Sequence, residues 1–203
     1  ACLAAILFSA CRREDMTNSS DPARETSLLS RLISELFGTF MLALTVGLNI
    51  VVKSTATAWS AGAALMCMVY ALGDVSGAHF NPAVTTAVVL SGRGKCPLDR
   101  GLCYCAVQLG AAQMAGVILG QIASGPGEVF SLGPQGHFLW PAVFAAELAF
   151  TFLLAFVVLA VATTRLPHSP SKQHFHFGLS IGGCVTMWGS QVASLLGPSL
   201  VEC

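Results

Sequence analysis

Apolar residues fall in long runs divided by short polar stretches along this chain. The hydrocarbon core of a bilayer is about 30 Å thick and needs about 20 helical residues, each rising about 1.5 Å. Five runs answer to that length, at residues 28–52, 58–72 with its polar flanks, 101–123, 139–164 and 177–196. A further segment, AVTTAVVL at 83–90, is less than half as long and is bracketed by loops. It can enter a membrane but cannot leave on the far side.

Basic residues orient these spans. Arg12, Arg13, Arg24 and Arg31 precede the first, Arg93, Lys95 and Arg100 follow the short segment, and Arg165 and Lys172 join the fourth to the fifth. The remaining loops hold only Lys53. The positive-inside bias therefore predicts a multi-pass membrane protein with a cytoplasmic N-terminus, in a membrane the sequence does not specify. The short segment then dips in from the cytoplasmic side and returns there.

Sliding the chain on itself by 112 residues exposes a repeat, in which ELFGTFMLALTV from Glu35 and ELAFTFLLAFVV from Glu147 share seven of twelve positions. The copies lie three crossings apart, so the second runs opposite to the first. Inverted repeats of this kind put a transport site near the midplane, where the halves meet. Chance likeness between two Leu- and Phe-rich helices is the alternative, and the paired Glu and Thr weigh against it.

Composition fits a lipid environment: 54% of residues are hydrophobic and 10% charged, against about 25% charged in soluble domains. The net charge of zero argues for no nucleic-acid partner. Among the eight cysteines, Cys67, Cys103, Cys105 and Cys184 fall inside apolar runs and read as small helix-packing residues. Cys103 and Cys105 point to different helix faces, and no His or Asp joins them at usable spacing, so no metal or other cofactor is expected. His174 and His176, near His168, read as a cytoplasmic loop meeting the fifth span, with a metal site or pH gate as the alternatives. Gly116 and Gly120 form a small-xxx-small pair that could pack within the bundle or between subunits. Gly125-Pro126-Gly127 and 133–136 mark an irregular external loop. Nothing resembles a nucleotide loop, a nucleophile triad or paired catalytic acids, so no enzyme is expected. Residues 1–27 form an N-terminal segment: a signal core or the tail of a preceding membrane helix, then a polar cytoplasmic stretch. Residues 28–203 form the membrane domain.

The short segment carries the chemistry. A helix start has unpaired N–H groups and roughly half a positive charge, which is costly at mid-membrane unless something polar meets it. Asn81 suits the cap and Pro82 the first turn, where its missing N–H was unpaired anyway. Gly77, Ala78, His79 and Phe80 before them are non-helical, and such backbone is tolerated at depth only beside a wet cavity or packed in protein. Their carbonyls would offer a ladder of acceptors, with the Asn81 amide as donor, to a single file of water. The positive helix end would repel cations. His79 either bonds locally to hold the loop or gates it.

SGAHFNPAVT at 76–85 closely resembles the first signature loop of the aquaporins and aquaglyceroporins, the major intrinsic proteins. The resemblance runs over about residues 28–200: ELFGTF resembles the family's first helix, Arg100, Tyr104 and Gln108 the start of the third, and AELAFTFLLAFVV the fourth. It implies a right-handed bundle of six spanning helices and two half-helices, each led by an Asn81-Pro82-Ala83-like motif, with four pores in a homotetramer. It also implies that Glu35 and Glu147 bond the re-entrant loops; unpartnered, each would cost about 2.5 kcal/mol or more at a helix centre. Snorkelling to an interface is the other reading of these acids.

The second half departs from the family. Where its second loop carries Asn-Pro-Ala-Arg, this chain has Gln191, Val192, Ala193 and Ser194, and the end of the fifth helix with its loop is shortened after Gly189. The family's constriction falls on Ala61, Gly189 and Ser194, all small and without the fixed cation. Glycerol, urea or ammonia would then pass as readily as water. The expected fold is thus an all-α, aquaporin-like membrane bundle of five spanning helices, one intact re-entrant half-helix, a degenerate second one and no sixth span. The expected function is a passive channel for water and small neutral solutes in a lipid bilayer. The alternative is a non-conducting relative or truncated fragment acting at most as a partner subunit; a coupled transporter would need more intramembrane charge. ACLAAILFSACR resembles the family's last helix, which suggests an internal piece of a longer or doubled chain.

Overall fold

The computed structural model describes residues 2–11, 26–123, 132–134, 138–163 and 177–198, the side chains of 2, 132 and 188–198 excepted. The polar segment at 12–25, the loop at 125–127 and His168, His174 and His176 lie outside these. In chain order come α1 (Cys2–Cys11), α2 (Leu28–Val51), α3 (Thr57–Ser76), α4 (Pro82–Leu90), α5 (Leu98–Ala123), β1 (Leu132–Pro134), α6 (Trp140–Ala162), α7 (Phe177–Leu195) and β2 (Leu196–Pro198). Four helices, α2, α3, α5 and α6, are long and apolar enough to cross a membrane. The fifth expected span is α7, 19 residues long. With nine residues, α4 rises about 14 Å, half the core's depth.

Helix α2 buries the opposite of what a helix in a soluble bundle buries. In α2 the buried positions are Ser30, Ser34, Glu35, Gly38, Thr39 and Gly47, a polar and small stripe at helical spacing. Trp140, Phe144, Leu148, Phe152 and Phe156, every fourth residue of α6, are exposed. Lipid is as apolar as these side chains, so close approach and polar pairing, not apolar burial, decide which face turns inward. At the centre, Leu65, Val69 and Leu72 of α3 pack with Val84 and Val88 of α4, Leu154 and Val158 of α6, and Ile181 and Val185 of α7.

Helix α3 meets α7 through a pair of glycines. A Cβ on Gly62 would collide with Thr186 and stand 2.6 Å from the Gly182 carbonyl, and one on Gly182 would stand 2.6 Å from the Gly62 carbonyl. Only hydrogen fits between these backbones.

Three expectations need correction. Cys67 and Cys103 are exposed rather than packed, while Cys184 is buried: in lipid, a small apolar side chain gains little by turning inward. Of the Gly116 and Gly120 pair, only Gly120 is buried within the bundle, while Gly116 meets nothing within 4 Å. The loop expected to be irregular is partly regular, for Leu132, Gly133 and Pro134 pair antiparallel with Pro198, Gly197 and Leu196.

Candidate functional site

The backbone between α3 and α4 makes three left-handed steps in four residues. Gly77 ends α3 at φ 96°, Ala78 follows at 50° and Phe80 at 49°. For the two non-glycine residues such a conformation costs of order 1–3 kcal/mol each and persists only where the surroundings impose it. The Glu35 carboxylate supplies the constraint. Its Oε1 accepts from Ser76 Oγ at 2.6 Å and His79 N at 3.0 Å. Its Oε2 accepts from Phe80 N at 2.7 Å and Gln108 Nε2 at 2.8 Å. Ser76 Oγ accepts in turn from Ala78 N at 3.1 Å, so two of the left-handed residues are tied through one acid and one hydroxyl.

Helix α5 braces the loop from behind. The Tyr104 hydroxyl donates to the Ser76 carbonyl at 2.9 Å. Gln108 Nε2 also donates to Thr85 Oγ1 at 3.0 Å, and Thr85 Oγ1 donates to the Asn81 carbonyl at 3.0 Å. His79 Nδ1 lies 3.2 Å from the same hydroxyl, and its ring meets Tyr104 edge-on at 5.4 Å. Glu35, Thr85, Tyr104 and Gln108 are wholly buried, so in this low dielectric every donor and acceptor depends on its partner. Gly38 of α2 leaves room for the Phe80 ring, which a Cβ there would strike.

Asn81 then starts α4. It is extended, at φ −153°, and its side-chain oxygen accepts from Ala83 N at 2.8 Å, with Pro82 in the first turn. A cavity of about 230 Å³ opens beside this helix start, lined by Ala78, His79 and Asn81 together with Ala61 of α3, Glu147 of α6 and the apolar faces of α2, α6 and α7. Gly77, Phe80, Pro82 and Ala83 do not line it. Phe80 instead turns inward against Gly38, because Glu35 holds its N–H. The backbone of Gly189, Gln191, Val192, Ala193 and Ser194 continues α7 to Leu195, and their side chains lie outside the described residues.

Sequence reasoning linked Glu35 to the loop but missed Ser76, Thr85 and the roles of Tyr104 and Gln108. The signal was present in α5, where Gly101, Tyr104, Gln108, Ala111, Ala115 and Leu119 recur at helical spacing and are all buried. A glutamine in that stripe requires a buried partner.

Residues 23–201 match the sequence model of the Major intrinsic protein family. Aquaporin NIP1-4 of Oryza sativa subsp. japonica is 39% identical over 171 residues, 79% of this chain and 59% of that protein. Aquaporin NIP1-1 of Zea mays is 35% identical over 165 residues, 75% of this chain and 56% of its own length. Aquaporin-B of Dictyostelium discoideum is 34% identical over 119 residues, 54% of this chain and 39% of its own length. The chain thus spans between two fifths and three fifths of these relatives. With this match, four apolar helices of membrane-crossing length and the half-depth α4, the chain is an integral multi-pass membrane protein that belongs to the major intrinsic protein family.

Proposed function

We propose that the cavity beside Asn81 is part of a passive conduit for water and small neutral solutes such as glycerol, urea or ammonia. The observation that carries this reading is a polar helix start on an otherwise apolar cavity: Asn81, His79 and Ala78 share its wall with Leu42, Leu65 and Val158. Apolar walls hold water weakly, and a few polar groups at one level give it a place to exchange partners. The roughly half positive charge at the start of α4 disfavours cations at that level. Ala61 on the wall supports a bore wider than water alone requires. The same reading has four copies assembling and the loop at 91–97 facing the cytoplasm, as the family resemblance and the basic residues suggest.

A second reading, a non-conducting subunit, draws on one observation. Gln191 to Ser194 continue α7, and no second half-helix stands opposite α4 among the described residues. Stopped-flow swelling of proteoliposomes decides between the two. A conduit gives water permeability well above empty vesicles, reduced when Asn81 is replaced by a bulkier residue, as in Asn81→Leu. Permeability equal to empty vesicles favours the second reading.

A further inference from the structure

The first turns of α2 and α5 meet at one end of the membrane domain, and a second cavity is lined by both. It measures about 270 Å³, several times the volume of one water, about 30 Å³, and its wall is Thr26, Leu28, Arg31, Asp99, Arg100 and Cys103. Two guanidinium groups and two helix starts of roughly half a positive charge each face one carboxylate there, so the balance is about two positive charges. Ser27 caps α2 with a neutral hydroxyl, which leaves the charge of that helix start in place.

Arg31 is held in position for an anion. Its Nε donates to the Thr26 carbonyl at 3.1 Å, and Thr26 Oγ1 donates to the Val75 carbonyl at 2.9 Å, which ties the guanidinium to the end of α3. A guanidinium fixed in this way meets phosphate oxygens with its fork of N–H groups at little further entropic cost. The rim of the cavity is apolar. Leu28 and Cys103 are exposed, and so are Leu98 and Leu102 in the same turns of α5. A soluble anion gains nothing from such a rim, whereas an acyl chain does.

We propose that this cavity seats the phosphate of an anionic phospholipid headgroup, with the acyl chains lying along Leu28, Leu102 and Cys103. Basic cavities between membrane helices suit such headgroups. Asp99 opposes the phosphate, so the site is weaker than two arginines alone would make it. Arg31 stands one turn before Glu35 on α2, and Arg100 one turn before Tyr104 on α5. A phosphate bonded to both joins the two helices whose side chains hold the loop before Asn81. The lipid thus stabilises that loop without entering the central cavity, and the inference does not depend on what passes there.

Native mass spectrometry of the full chain in detergent, titrated with dioleoylphosphatidylglycerol or dioleoylphosphatidylcholine, tests this. Phosphatidylglycerol should bind saturably and raise Tm in the same detergent. Phosphatidylcholine, whose choline brings a cation into a positive cavity, should bind at least about fivefold more weakly. Arg100→Gln should weaken phosphatidylglycerol by a similar factor, while Arg93→Gln, exposed and off the cavity wall, should leave it unchanged. Asp99→Asn should tighten it, and a gain of binding cannot come from a damaged fold. Equal binding of the two lipids, unaltered binding by Arg100→Gln, no gain with Asp99→Asn, or an equal loss with Arg93→Gln overturns the proposal. So does displacement of the lipid by equimolar inorganic phosphate, which would make the cavity a site for a soluble anion.

Discussion

Glu35 is the side chain on which the loop's conformation depends. Replacing it by alanine leaves the N–H groups of His79 and Phe80, the Ser76 hydroxyl and the Gln108 amide facing a void. Each buried donor left unmade costs about 1–3 kcal/mol, and the strained Ala78 and Phe80 lose their restraint as well. Glu35→Ala should therefore destabilise the fold by more than about 3 kcal/mol. Reversible unfolding in SDS checks this, and a loss below about 1 kcal/mol would show that the network around Glu35 does not hold the loop. The repeat marked Glu35 but not the side chains it bonds: only three-dimensional placement reveals Ser76 and Gln108, because a hydrogen-bond partner 41 or 73 residues away has no periodic signature.

At the level of helices, the contact between α3 and α7 depends on Gly62. In Gly62→Val the new side chain would meet Thr186 and, 2.6 Å from its Cβ, the Gly182 carbonyl. A flexible side chain could move aside but a helix backbone cannot, so the loss should approach the upper end of the about 1–3 kcal/mol seen for overpacking. Gly110→Val, where nothing lies within 4 Å, is the matched control, and thermal unfolding in one detergent should lower Tm for the first variant only. Helix lengths were legible from apolar runs: the expected 28–52 and 101–123 are Leu28–Val51 and Leu98–Ala123. Which face turns inward was not. In lipid, apolar residues lie on every side, as the exposed Cys67 and the exposed aromatic row of α6 show, so the informative pattern is the recurrence of small and polar residues. The pairing of 132–134 with 196–198 was illegible for another reason: identical Leu-Gly-Pro tripeptides carry no alternation to mark a strand.

For the whole molecule, the half-length α4 fixes a relation between the two ends of the first half. Two full crossings, α2 and α3, return the chain to the side from which it started, and nine residues cannot carry it across again. The residues just before α2 and the loop at 91–97 should therefore face the same compartment, opposite the turn between α2 and α3. Charge agrees, with Arg31, Arg93, Lys95 and Arg100 on one side and Lys53 on the other. Arg93 and Thr55 are both exposed, so each serves as a cysteine probe in a background free of the native cysteines. In vesicles with their outer face outward, a membrane-impermeant maleimide should label Thr55→Cys at once and Arg93→Cys only after permeabilisation. Labelling of both from the same side would mean that α4 crosses the bilayer, and the cavity beside Asn81 could then no longer lie at mid-depth.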